Sequence, residues 1–395
     1  MIQLQIKELA ARYFNETVSV RRHLHQHPEL SFQEKDTAAF ISARLTSYGI
    51  KHSTDIGGHG IIALIEGRNP EEKCLALRAE LDALPIQESS SHTYCSVNEG
   101  VMHACGHDAH AAMLLTAGQI LHKMKMHFDG SIKLIFQPAE EKLPGGALEI
   151  IRAGGLENPA PTVITAQHVL PTLESGKVGF RSGAFMASGD EINILVKGKG
   201  GHAALPDKLN DTVLTASQII VNLQQIASRL VSPFTPMVLS FGKITANGAH
   251  NVIPDEVLIQ GTFRTFDENW RATAKEHIIR IAEQTARAAG MEAEVHIEHG
   301  YPVLMNDEKN TLIARQAAME YLGNENVIDI DQRMTTEDFA WYSQKMPACF
   351  YRIGTSLSGK YSAGLHTSAF DIDESMLESG SGLMAWIAIQ QLQNM

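Results

Sequence analysis

Cysteine is scarce in this chain: Cys74, Cys95, Cys105 and Cys349 are all it has. That is too sparse for a disulfide framework, and it makes a reducing cytoplasm the expected compartment. No apolar run is long enough to span a bilayer, so no membrane role is expected. A basic stripe interleaved with aromatics is also missing, and the net charge of −12 argues against a nucleic-acid surface. There is no internal repeat and no low-complexity linker. The opening MIQLQIKELAARYF reads as an amphipathic helix without the apolar core of a cleavable leader.

What is present is ordinary globular material, 44% apolar and 20% charged. At 395 residues the chain exceeds one ordinary core, which favours two domains. Residues 4–24 have helical spacing, and Ser31 with Glu34 reads as a capping box for a second helix ending at Gly49. Residues 60–67 and 74–78 read as buried strands, 111–126 as a helix, 131–136 as a strand, 146–153 as a short helix and 162–167 as a strand delivering His168. This alternation implies α/β architecture, a mostly parallel mixed sheet with helices on both faces. After Ser182 the pattern changes. Strands at 190–197, 237–244, 257–265 and 292–297 and helices at 207–230 and 268–289 give the order β-α-β-β-α-β, which is ferredoxin-like α+β. Alternation then resumes, with helices at 308–321, 337–345 and 374–393 and strands at VIDI and 349–353. The expected organisation is a split catalytic, metal-binding domain, residues 1–183 and 300–395, interrupted by an inserted domain, residues 184–299.

The densest chemistry lies in VMHACGHDAHAAM, where His103, Cys105, His107 and His110 crowd together with Asp108. Thiolate, imidazole and carboxylate together suit a zinc-like divalent ion. Cys105 and His107 would point apart on a regular helix, so they can converge only at a loop or helix start, where Gly106 supplies the freedom. Ligands of such sheets bind beyond the carboxyl ends of the strands. Asp82, Glu140, Glu141 and His168 are all expected at such ends, and His366 lies in a loop before the last helix. Of the adjacent pair Glu140-Glu141, one could ligate metal while the other accepts a proton. Cys105, His107, Glu141, His168 and His366 are more donors than one tetrahedral ion takes, and they suit two metals with bridging ligands. Asp82 is expected to orient a ligand by hydrogen bonding.

Ordered motifs along nearly the whole chain carry a resemblance. They are Arg21-Arg22-His23-Leu24-His25 with Pro28-Glu29, Arg78-Ala79-Glu80-Leu81-Asp82-Ala83-Leu84-Pro85, and Met102-His103-Ala104-Cys105-Gly106-His107-Asp108. Phe136-Gln137-Pro138-Ala139-Glu140-Glu141, Lys199-Gly200-Gly201-His202-Ala203-Ala204, Asn251-Val252-Ile253-Pro254, Glu337-Asp338-Phe339 and Leu365-His366 complete the set. The chain resembles the metal-dependent amidohydrolases that include hippurate hydrolase, bacterial aminoacylases and plant indole-acetyl-amino-acid hydrolases, relatives of carboxypeptidase-G2-type zinc peptidases. The resemblance implies two divalent ions per subunit (zinc, manganese, nickel or cobalt) held by Cys105, His107, Glu141, His168 and His366. It implies Glu140 as general base, with Asp82 in the same catalytic set. It implies a homodimer formed through the inserted domain, with His202 reaching across it to the substrate carboxylate or the oxyanion, and Asn251 and Arg264 in the same polar pocket. The implied substrate is a small N-acyl amino acid. Glu80, where an aspartate is commoner, and Lys142-Leu143-Pro144, in place of a shorter glycine-rich link, depart from the pattern.

Three alternatives stay open on the residues. A dipeptidase would share metals and fold, a thiol hydrolase would use Cys105 as nucleophile, and a metal-dependent binding protein would have no use for a free Glu140.

Overall fold

The computed structural model describes residues 1–357, 361 and 363–395. The chain divides into two compact units, residues 1–183 with 305–331 and 338–395, and residues 184–304 with 332–337.

The first unit begins with helix α1 (Ile2–Gln26) and helix α2 (Lys35–Ser47). Strands β1 (Lys51–Ile56), β2 (Gly60–Glu66) and β3 (Cys74–Glu80) follow, then α3 (His107–Lys123), β4 (Ser131–Gln137), α4 (Gly146–Arg152), β5 (Val163–Glu174) and β6 (Val178–Phe180). Two strands from the far end of the chain, Val327–Asp329 and Ala348–Ser356, join them. The resulting eight-stranded sheet has the order β1, β2, β4, β3, β5, Ala348–Ser356, β6, Val327–Asp329. Its centre is parallel: β3 lies between β4 and β5, and β5 runs alongside Ala348–Ser356 in the same direction. The pairs β1–β2 and β2–β4 are antiparallel, so the sheet is mixed. Every residue of β3 and β4 is buried, as expected for strands covered on both faces. Helices α1, α3 and the last helix, Met376–Gln393, pack on one another, and the last two also pack on β3.

The second unit has the β-α-β-β-α-β order read from the sequence. Its sheet runs Met237–Thr245, Glu256–Thr265, Ser188–Lys197, Glu292–His299, with each neighbour antiparallel. Helices Thr212–Gln225 and Glu268–Ala288 close one core with it, Ile219, Leu223, Ala274 and Ile278 meeting Ile192, Ile194, Val257 and Phe263.

Four local expectations are corrected. Ser31 and Glu34 form no capping box: Ser31 Oγ donates to Asp82 Oδ2 at 2.7 Å, and Glu34 Oε1 accepts from the N–H of Phe32 at 3.0 Å and of Ala139 at 2.7 Å. Helix α3 starts at His107 rather than Ala111, because Gly106 ends the preceding loop in the left-handed region (φ 80°). Strand β5 continues past Gln167 to Glu174, so His168 lies within it; Arg352 and Ile353 pair with His168 and Val169 and hold the strand extended there. In the second unit the helix begins at Thr212, capped by Asp211, whose Oδ1 accepts from Leu214 N–H at 2.9 Å, and it closes in a π turn over Ile226–Leu230. Among the described residues no helix is long and apolar enough to cross a membrane.

Candidate metal centre

Gly106 makes the centre geometrically possible. Its φ of 80° turns the chain between Cys105 and His107, and a Cβ there would lie 2.6 Å from Val169 Cγ2. Only glycine combines that backbone freedom with that close approach.

His107 opens α3 with both ring nitrogens defined. Nδ1 donates to the carbonyl oxygen of Asp82 at 2.9 Å and lies 3.2 Å from Asp82 Oδ1. Nε2 faces away from that anchor; it is buried, forms no hydrogen bond among the described residues, and lies 4.0 Å from Glu141 Oε1. Glu141 Oε1 is likewise buried without a hydrogen-bonded donor, 3.2 Å from His366 Nε2. His168 repeats the arrangement from β5: Nδ1 donates to Val169 O at 2.9 Å, and Nε2 lies 3.5 Å from Cys105 Sγ. Donor atoms of Cys105, His107 and Glu141 all fall within 4.8 Å of one another. His366 stands on a loop at φ 60°, its own N–H donating to Ala104 O at 2.8 Å, its side chain half exposed.

Charge at this spot is unbalanced. Burial would lower His107, but the Asp82 hydrogen bond and the charges of Glu80, Asp82 and Glu141 outweigh it and push the imidazole up to about 10. The Cys105 thiol is pushed far up, by burial first and then by Glu141 and Glu140, so it is a neutral thiol. His168 is driven well down by burial, with Arg352 and His110 adding to it, and is neutral. Crowded carboxylates that drive an imidazole up, imidazoles anchored through Nδ1 and a buried thiol together fit a divalent ion. This donor set is the observation that a metal satisfies.

Around the donors lies a buried layer that the sequence reading only partly found. Asp82, 1% exposed, accepts from Ser31 Oγ and, at 2.9 Å, from the N–H of Glu141. Glu140 is 7% exposed, and its Oε1 lies 3.4 Å from the Asp338 N–H. Arg78 binds Glu80, Gln137 and Asp338, the last at 2.6 Å, and Asp338 also accepts from Gln137 at 2.8 Å and Ala147 N–H at 2.9 Å. Burial would raise Glu80, yet Arg78 and then His110 hold it well below the carboxylate range. Asp108 is not among the donors: it is committed to Arg21 Nε and His25 Nδ1, both at 2.8 Å. His103 is buried, and that burial lowers it to about 3. Arg78 and Asp338 carried no signal beyond membership of recurring motifs, because an ion pair between residues so far apart in sequence leaves no local pattern.

The remaining three candidates belong to the second unit. His202 and Asn251 come together at a short antiparallel pair, Gly201–His202 with Val252–Ile253, where Ala203 N–H donates to Asn251 O at 3.0 Å. His202 is exposed there and accepts from Ala204 N–H at 3.1 Å. Arg264 lies on the strand Glu256–Thr265, donating to Thr262 Oγ1 at 3.0 Å and Thr336 Oγ1 at 2.7 Å, with burial lowering its pKa.

A split α/β unit with a buried thiol–imidazole–carboxylate cluster and a second ferredoxin-like unit defines a recognisable class. Residues 76–389 match the Peptidase family M20/M25/M40, and the chain belongs to that family. It is 42% identical over 309 residues, 78% of this chain and 83% of the relative, to an N-acyl-L-amino acid amidohydrolase of Geobacillus stearothermophilus. It is 40% identical over 364 residues, 92% of this chain and 85% of the relative, to an N-acetyl-L-cysteine deacetylase of Bacillus subtilis. Among solved structures, the YXEP protein of Bacillus subtilis, described as a dinuclear metal-binding peptidase, is similar with a TM-score of 0.84 at 34% identity, covering 98% of this chain and all of that one.

Proposed function

We propose that this chain is a metal-dependent amidohydrolase that cleaves the amide bond of N-acyl amino acids, giving a carboxylate and a free amino acid. The observation that carries the reading is a pair of buried atoms beside Cys105, His107 Nε2 and Glu141 Oε1, that find no hydrogen bond among the described residues. Two divalent ions would be held by Cys105, His107, Glu141, His168 and His366. Bound there, they supply a Lewis acid for the acyl carbonyl and acidify a water.

Glu140, buried but without a place in the donor triplet, takes the proton of the attacking water and passes it to the leaving nitrogen. Asp82 holds the His107 ring and the Glu141 backbone in place. In a homodimer formed through the second unit, His202 donates to the developing oxyanion, and Arg264 and Asn251 hold the carboxylate of the amino-acid half. The sparse, unpaired cysteines support a cytoplasmic setting. Zinc or manganese suits the donors, with cobalt and nickel close behind.

The relatives' names favour acyl amino acids over dipeptides, and the neutral Cys105 thiol speaks against a cysteine nucleophile. The test is hydrolysis of N-acetyl, N-benzoyl and indole-acetyl amino acids and of dipeptides by metal-stripped chain, with zinc, manganese, cobalt or nickel restored. Metal-restored cleavage of the acyl compounds supports the reading. Activity on dipeptides alone replaces it with a peptidase, and activity that survives chelation but not thiol alkylation replaces it with a cysteine hydrolase.

A further inference from the structure

His110 sits among Glu80, His107 and His168, close enough for these four side chains to resemble a second cation site. The hydrogen bonds say otherwise. The backbone N–H of Val169 donates to His110 Nε2 at 3.0 Å, so that nitrogen carries no proton. The proton is on Nδ1, which donates to Glu80 Oε2 at 2.9 Å. Both nitrogens of a fully buried ring are thereby committed, and a cation could enter only by breaking one of the bonds.

The Val169 N–H is available because β3 stops pairing with β5 at Arg78↔Ala166. Beyond that point a side chain, not a neighbouring strand, takes up the amide. The peptide unit so held follows directly after His168, and the carbonyl of the same Val169 accepts from His168 Nδ1 at 2.9 Å. Val169 is therefore gripped on its N–H by one histidine and grips another through its C=O. Glu80, which stands where the resemblance leads one to expect a shorter aspartate, is in turn fixed by Arg78.

We propose that His110 is a positioning residue: held by Glu80 in one tautomer, it clamps the Val169 backbone and so sets the direction in which His168 presents Nε2. This rests on the reading of His168 as a metal ligand. Losing such an outer contact typically costs 10–100-fold in metal affinity.

The two amide replacements of His110 divide its two bonds. His110→Asn can still donate to Glu80 but offers no acceptor at the ε position, whereas His110→Gln places an oxygen there for Val169. Metal-stripped full-length chain is titrated with cobalt(II) by calorimetry. Wild type is expected to take up two equivalents. His110→Asn is expected to lose roughly 10–100-fold in affinity for one of them, and His110→Gln to stay close to wild type. Equal affinities in wild type and His110→Asn overturn the proposal, as does an equal loss in both variants.

A second measurement needs no metal. Hydrogen exchange at the Val169 amide is expected to be slow in wild type and His110→Gln and fast in His110→Asn; no difference overturns the clamp. If wild type takes up no cobalt, the metal reading of the function fails while the exchange result still judges the clamp. Should the variants not fold, nitrogen chemical shifts of His110 in wild type decide: Nδ1–H is expected, and Nε2–H overturns it.

Discussion

The backbone N–H of Glu141 donates to Oδ2 of Asp82 at 2.9 Å, while the carbonyl of the same Asp82 accepts from His107. One buried residue thus aligns two proposed ligands that lie 34 positions apart in sequence. Asp82→Ala should lower metal affinity by roughly 10–100-fold, with a smaller effect on the unfolding midpoint of the metal-free chain. Metal titration beside denaturant unfolding checks it, and an affinity unchanged by the substitution refutes the orienting role.

Glu140 gives the complementary case. Glu140→Gln keeps the size of the side chain and removes the base. Turnover of an N-acyl amino acid should fall by 10²-fold or more, in line with losing general base catalysis, while the bound metal stays at the wild-type level. Elemental analysis and kcat on the same preparation separate the two. A variant of near-normal turnover would free Glu140 of that duty.

Glu34 sets a pH dependence of stability. Burial, and then the charge of Asp82, raise its carboxyl from 4.5 to about 7 in the folded chain. Between those values the folded state binds a proton that the unfolded state has released. Stability from this group is therefore full below pH 4.5 and is lost as the pH rises through about 7. Glu34→Gln, which can still accept from Phe32 and Ala139, should flatten the fall in unfolding midpoint over that window. Urea unfolding of metal-free wild type and variant at a series of pH values is the measurement; parallel curves would refute it.

At Gly106 a methyl group would meet both a left-handed backbone and Val169 Cγ2 at 2.6 Å. Gly106→Ala should cost about 2 kcal/mol or more of stability, summing αL strain with overpacking. Because the turn joins two donors, it should also weaken metal binding. Thermal unfolding with a metal titration tests both, and a fully stable, fully loaded variant would contradict the argument.

Much of this architecture was legible because periodicity reports burial. The β-α-β-β-α-β unit and the helix–strand alternation of the first unit follow from apolar spacing, and Gly106 announced the turn that a helix could not make. What stayed hidden involves side chains whose partners lie far away in sequence. Ser31 and Glu34 have the spacing of a capping box, yet Asp82 and Ala139 offer them buried partners in place of a helix end. His168 reads as following a strand that stops at Gln167, whereas the pairing with Ala348–Ser356 carries β5 through it. Asp338 was expected on a helix; only Ala340–Ser343 is helical, and the carboxylate before it is drawn to Arg78 and Gln137. Local pattern cannot announce an attraction of that range.

The two outlying histidines are mounted very differently. His168 is embedded in a continuous strand with its ring tied to its own backbone, whereas His366 stands on a loop at φ 60° with half its side chain in solvent. Withdrawing His168 from the cluster would mean breaking strand pairing, whereas His366 could swing away with its loop alone.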